Sequence, residues 1–144
     1  MTDQERRNGV RLGMARLPLL GTSPKAARDL VETVGRSWGL SSETVYAARL
    51  AVSELVTNAL VHAAGMPGST VTVIVARSDG MLAVEVHDAS REEPRLRYPP
   101  ETAESGRGLI LVSEVTDACG HYLTPFGKAV WFTLKSDWPL DMTR

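Results

Sequence analysis

The segment from residue 42 to residue 64 places a carboxylate, a carboxamide and an imidazole at four-residue intervals, at Glu54, Asn58 and His62. If this segment is helical, side chains four residues apart lie on one face. That face is otherwise apolar, because it also carries Ala47, Leu50, Ala51 and Val61. Burying polar groups there is costly unless a backbone group, a water network, a metal or a ligand meets them. The row therefore predicts either hydrogen bonds to a neighbouring loop or a ligand site, and the residues alone leave both open.

A second carboxylate ends a predicted strand. Counting in twos, Asp88 falls on the same face as the apolar residues that precede it, Leu82, Val84 and Val86. An apolar strand face points at the core, so this strand brings its carboxylate inward. Asp88 then either closes a turn by accepting from the backbone of Ser90 or Arg91, or accepts from an exocyclic amine of a ligand.

Two glycines bracket a cation at Gly106, Arg107 and Gly108, directly before Leu109. We predict a short apolar helix over residues 108–117. The free N–H groups of a first helical turn can seat an anion, and Arg107 adds a positive charge. The same pattern also marks a tight turn, so it predicts an anion site or a turn.

Nine segments are predicted to position these residues, in the order strand, helix, helix, strand, strand, loop, helix, strand, strand. Their bounds are residues 10–17, 24–38, 42–64, 70–77, 81–87, 89–105, 108–117, 120–124 and 128–135. Ser23 and Pro24 are typical of an N-cap and a first helical residue, and Gly39 is typical of a helix end.

Strands joined by hairpins, with the helices grouped, predict an α+β fold. We expect a two-layer sandwich in which a mixed, mostly antiparallel sheet is covered by helices on one face. The domain is expected to span residues 10–136, between an N-terminal tail of residues 1–9 and a C-terminal tail of residues 137–144.

The composition excludes several classes of protein. The 144 residues are 43% apolar with a net charge of −1, which suits one packed core and disfavours binding to nucleic acid through bulk charge. The longest apolar runs, such as residues 109–112, have four residues and are too short to span a membrane, and residues 1–8 start no signal segment. Cys119, expected in the core, is the single cysteine, which excludes an internal disulfide or a multi-cysteine zinc site. We therefore expect a cytoplasmic protein with no membrane or nucleic-acid partner.

Three motifs in this order carry a resemblance to a known family. They are ELVTNALVH at Glu54–His62, VHDAS at Val86–Ser90 and GRGL at Gly106–Leu109. Over residues 10–136 the chain resembles the GHKL ATPases (gyrase, Hsp90, histidine kinase and MutL), and most of all the stand-alone bacterial anti-sigma-factor serine kinases. The resemblance implies the Bergerat fold of a histidine-kinase-like ATPase, with ATP or ADP and Mg²⁺ as ligands.

The resemblance also implies a role for each matched residue. Asn58 would hold Mg²⁺ through its carbonyl oxygen, and Glu54 would act as the general base. Asp88 would accept from the adenine amine, while the backbone at Gly106 and Gly108 would approach the phosphates. The remaining motif residues implied in the nucleotide site are His62, Ser90, Arg107 and Leu109. Residues 89–105 would form the lid.

Two positions depart from the family pattern. Ser90 stands where the first glycine box usually ends in Gly. Near the last strand the family commonly has Thr after Gly, whereas here Gly127 is followed by Lys128 and Ala129. The hydroxyl of that threonine normally helps a water-mediated adenine contact.

The resemblance implies a homodimeric regulator that binds ATP and Mg²⁺, sequesters a sigma factor, and phosphorylates a serine of a STAS-domain anti-anti-sigma factor. A second interpretation is a nucleotide-gated binding module of the same fold without kinase activity. A detached histidine-kinase catalytic domain ranks last, because no helix pair with a phosphoacceptor histidine precedes the predicted domain in this sequence.

Overall fold

The structure is a computed structural model, and it describes residues 9–63, 69–91 and 111–139. Strands β1 to β5 are Val10–Pro18, Thr70–Ser78, Met81–Asp88, Ala118–Thr124 and Gly127–Lys135. Helices α1 and α2 are Ser23–Ser37 and Ser42–His62. Residues 111–115 are also helical, within the predicted third helix. The predicted order of elements is therefore confirmed in the described ranges.

The five strands form one sheet in the order β1-β2-β3-β5-β4. Each described pairing is antiparallel, in a sheet that we expected to be mixed but mostly antiparallel. The α1–α2 pair explains the antiparallel pairing of β1 and β2, because two helices joined by a short turn return the chain to the end of the sheet that it left. The end of β1 therefore lies beside the start of β2, where Leu17 pairs with Val71. The α+β class is confirmed, and β1 is an edge strand.

The helix boundaries follow from local hydrogen bonds. The hydroxyl oxygen of Ser41 caps α2 by accepting from the Thr44 N–H at 3.1 Å. Ser23, predicted as the N-cap of α1, is instead its first helical residue, after Thr22. Its buried hydroxyl donates to the Pro18 carbonyl oxygen at 2.6 Å, which ties the start of α1 to the end of β1. Gly39, at φ 72°, follows α1 and ends it as predicted.

The core lies between the helix pair and one face of the sheet. Helix α2 contributes most of the helical part, because eight of its residues are buried and only five of α1 are. The sheet contributes alternate residues of the three central strands, such as Val73, Val84 and Phe132, which have no exposed surface.

Cys119 was expected in the core, but it is exposed. It lies on the edge strand β4, opposite Phe132 of β5. Partial burial raises the pKa of its thiol, and a weaker opposing effect comes from a hydrogen bond with Thr116. A raised pKa lowers the thiolate fraction, which is the opposite of what a nucleophilic cysteine needs.

Within the described ranges, no helix combines the length and the hydropathy that crossing a bilayer would require.

Candidate functional site

Three elements bring polar side chains together in the helix-facing layer. They are the last turns of α2, the end of β3 and the start of β5. The pairing of β3 with β5 sets Asp88 directly opposite Lys128. Residues opposite each other in an antiparallel pair lie on the same face, so both side chains point toward α2.

Asp88 is buried, with 6% of its surface exposed, and the prediction that it faces inward is confirmed. Its Oδ1 accepts from the Ser90 N–H at 2.7 Å, which is the turn interaction considered above. The same Oδ1 accepts from Lys128 Nζ at 3.2 Å. The other oxygen, Oδ2, is buried and has no hydrogen-bond partner in the described part of the chain. One oxygen of Asp88 is thus engaged within the protein, and the other lacks a partner that a ligand would supply.

The side chains of Lys128 and Asp88 are each 1% exposed and form a buried ion pair. Lys128 Nζ also lies 3.3 Å from His62 Nδ1. Because an ammonium group only donates, Nδ1 must be the unprotonated ring nitrogen in this contact. His62 and Lys128 therefore belong to one hydrogen-bonded cluster with Asp88.

Sequence reasoning noticed Lys128 only as a departure from the family pattern and missed its position in the site. A usable signal was present. Counting in twos back from Leu134, through Phe132 and Val130, puts Lys128 on the core-facing side of β5. A lysine in that row must be paired, because an isolated buried charge is too costly.

Asn58 is also buried, at 6% exposure, and its Nδ2 lacks a hydrogen-bond partner among the described residues. An unpaired buried amide group is costly, so this atom fits a site that a ligand completes. Glu54, one turn earlier, is half-buried. The described ranges contain no cluster of three or more His, Cys, Asp or Glu side chains that could hold a metal. A Mg²⁺ at Asn58 would therefore take its other ligands from phosphate oxygens or water, as this ion commonly does.

A small cavity separates α2 from β3 and β5. It is lined by Leu55, Asn58, Ala59, His62, Asp88, Lys128 and Val130, and its volume is about 10 Å³. That is about the space that one water molecule needs. A purine does not fit in this cavity, on the α2 side of Asp88, while Lys128 keeps this position.

Several predicted site residues lie outside the described ranges, namely Gly106, Arg107, Gly108 and Leu109. The same holds for residues 92–105 of the predicted lid. Ser90 lies inside them and is buried, and its backbone N–H supports Asp88. Of the predicted site residues, the structure thus brings together Asn58, His62, Asp88 and Ser90.

Gly127 allows β5 to pass close to the end of β3. A Cβ at this position would collide with the Asp88 carbonyl oxygen and lie 2.7 Å from Ala89 Cα. Since both are backbone atoms, we expect Gly127→Ala to lower the free energy of unfolding by about 1–3 kcal/mol. Urea denaturation measures the loss. Gly21→Ala is the matched control, because a Cβ there meets nothing within 4 Å, and equal losses in the two variants would contradict the close approach.

A helix pair over one face of an antiparallel sheet, with polar side chains meeting around Asp88, defines a two-layer α+β protein with a site at one end of the sheet. Over residues 18–134 the sequence matches the family described as the histidine kinase-like ATPase domain. The chain belongs to this family, and ATP is the nucleotide that membership implies.

Among solved structures, the chain is similar to the crystal structure of the RsbU and RsbW domains of Rv1364c from Mycobacterium tuberculosis. The TM-score is 0.66 at 15% sequence identity. The match covers 92% of this chain and 35% of that one, so this chain spans little more than a third of that protein's length. At this identity the likeness shows the fold alone. A comparison with curated proteins found no match.

Proposed function

We propose that this protein is a partner-switching regulator that binds ATP with Mg²⁺, sequesters a sigma factor and phosphorylates a serine of a STAS-domain antagonist. The observation that carries the proposal is that Asn58 and His62 of α2 line the same cavity as Asp88 of β3. Two buried polar atoms there, Asn58 Nδ2 and Asp88 Oδ2, have no hydrogen-bond partner in the described part of the chain. The choice of partners rests on the sequence resemblance to anti-sigma-factor serine kinases, and the fold shared with a structure that holds an RsbW domain agrees with it. A homodimer is part of the proposal.

The side chains have separate tasks in this proposal. Asp88 Oδ2 accepts from the amine of the base, and Asn58 binds Mg²⁺ through its carbonyl oxygen. Bound Mg²⁺ neutralises charge on the phosphates during transfer. Glu54 lies one helical turn from Asn58, so its carboxylate is placed on the phosphate side of the same row. Ser90 positions Asp88 through its backbone N–H, and His62 contacts the Lys128 ammonium group beside it.

The phosphate-transfer step needs one general base. The serine oxygen of the antagonist bonds to the γ-phosphorus, the bond to the β–γ bridging oxygen breaks, and ADP leaves with that electron pair. The proton of the serine hydroxyl goes to a carboxylate oxygen of Glu54. Such general-base assistance contributes about 10²–10⁴-fold in rate.

Incubation of the protein with labelled ATP, Mg²⁺ and STAS proteins of the same genome tests this proposal. Label on a serine of a STAS protein that also binds the chain is the expected result. Binding of ATP without any transfer to the STAS proteins that bind would overturn the kinase.

One observation favours a second candidate, a nucleotide-gated binding regulator without kinase activity. The Lys128 ammonium group already neutralises Asp88. The carboxylate that would recognise the nucleobase is therefore paired with a side chain of the protein. This candidate keeps the sigma-factor partner and predicts no serine phosphorylation by the wild-type protein.

The Asn58 assignment predicts that ATP binding depends on Mg²⁺. Chelation of Mg²⁺ should weaken ATP binding to the wild type by about tenfold, equal to about 1.4 kcal/mol, because the phosphates lose their link to the Asn58 oxygen. The Asn58→Ala protein should show a much smaller change. Calorimetric titration with and without chelator measures both.

Thr57→Ala is the control for this experiment. The Thr57 hydroxyl bonds to the Ser53 carbonyl oxygen in the same helix, so this variant should keep the full dependence on Mg²⁺. Metal-independent ATP binding by the wild type would count against Asn58 as a ligand.

A further inference from the structure

We propose that Lys128 controls access to the base pocket: its ammonium group occupies Asp88 as an internal competitor, and a nucleotide binds only by displacing it. This inference rests on the proposed nucleotide site. Lys128 then sets the nucleotide affinity of that site.

The competition follows from the chemistry of the three groups. Lys128 Nζ lies 3.2 Å from Asp88 Oδ1, and an ammonium group and an exocyclic amine both donate to a carboxylate. A charge-assisted hydrogen bond is stronger than one from a neutral amine. The amine of a base therefore meets a carboxylate whose charge the protein has already neutralised.

The space around Asp88 leads to the same conclusion. The Lys128 side chain is 1% exposed, and it lines the same cavity as the apolar residues Leu55, Ala59 and Val130. The cavity that remains is about 10 Å³. The stem fills space that a base would need, so displacement must move the whole side chain and not only its charge.

Lys128 is also held in place from two further directions. His62 Nδ1 lies 3.3 Å from its ammonium group, and the backbone pairing fixes its Cα opposite that of Asp88. The open state is therefore a minor one. A ligand that binds only a minor state has its affinity reduced by the fraction of protein in that state.

Calorimetric titration of ATP with Mg²⁺ into wild type and two variants tests the proposal. Lys128→Ala removes charge and stem, and we expect it to bind ATP about tenfold more tightly or better. Lys128→Met keeps most of the stem but removes the charge, so its gain should be smaller. Lys135→Ala, an exposed lysine at the end of the same strand, should bind ATP like the wild type.

The outcomes separate this inference from the proposed function. Equal, measurable ATP affinity in wild type and Lys128→Ala would overturn the inference and leave the nucleotide site standing. Absence of ATP binding in both, with both folded by thermal melting, would overturn the nucleotide site together with the inference.

A second measurement uses the wild type alone, so it does not depend on a variant that folds. The chain has three lysines, Lys25, Lys128 and Lys135. Amine labelling followed by mass spectrometry should modify Lys128 at least about tenfold more slowly than Lys25, whose side chain is 72% exposed. Saturating ATP with Mg²⁺ should raise the labelling of Lys128. Rapid labelling of Lys128 without nucleotide, or unchanged protection with ATP bound, would overturn the proposal.

Discussion

The Glu54→Gln protein is expected to bind ATP nearly as well as the wild type and to transfer phosphate to a STAS-domain partner about 10²–10⁴ times more slowly. The amide keeps the shape of the carboxylate but cannot accept the serine proton. ATP binding should survive because the nucleobase is recognised at Asp88, which lies near His62 and not near Glu54 in the row of Glu54, Asn58 and His62. Calorimetry measures the affinity, and transfer of labelled phosphate measures the rate.

Glu43→Gln is the matched control, since Glu43 lies exposed in the first turn of the same helix and should leave transfer unchanged. Sigma-factor binding should persist in both variants, because it does not require a general base at Glu54. An undiminished transfer rate in Glu54→Gln would remove Glu54 from the chemistry. No transfer by either the variant or the wild type would favour the binding regulator.

Asp88→Ala should lower the free energy of unfolding by about 3–5 kcal/mol. The change leaves the Lys128 ammonium without its counter-ion at a side chain that is 1% exposed, and it also removes the acceptor for the Ser90 N–H. Domains of this size are stabilised by only about 5–15 kcal/mol in total. The loss should therefore be visible as a much lower midpoint in urea denaturation.

Two comparisons isolate the cause of that loss. The double variant Asp88→Ala, Lys128→Met should recover much of the stability, because it buries neither charge. Asp29→Ala, which breaks an exposed pair with Lys25, should change stability little. A loss in Asp88→Ala as small as that in Asp29→Ala would mean that the Lys128 ammonium is solvated and that the pair is not buried in solution.

Much of the fold was predictable because its signals are local. The apolar residues of α2 repeat with a helical period, and the alternation in β3 carries through to Asp88. These periods place Asn58 and Asp88 on inward faces without any knowledge of their neighbours. The resemblance to GHKL ATPases added the ligand class, and the family match over residues 18–134 agrees with it.

Errors arose where the outcome depended on more than one element. Ser23 has the residue type of an N-cap, but its hydroxyl donates to Pro18 across the turn from β1. Cys119 has the polarity of a core residue, yet it lies on an edge strand where the helix pair covers little of the sheet. Strand β1 is antiparallel to β2 because α1 and α2 return the chain to the end of the sheet that it left.

The sequence by itself determined that a carboxylate, an amide and an imidazole face inward, since side-chain direction in a helix or strand depends only on local periodicity. Only the tertiary structure decided what meets them. Lys128 lies 40 residues after Asp88, and the two are opposite each other because β5, and not β4, is the neighbour of β3. Strand order and register depend on how the whole sheet packs against the helices, so no local pattern reveals them. The buried Asp88–Lys128 ion pair is a consequence of that packing.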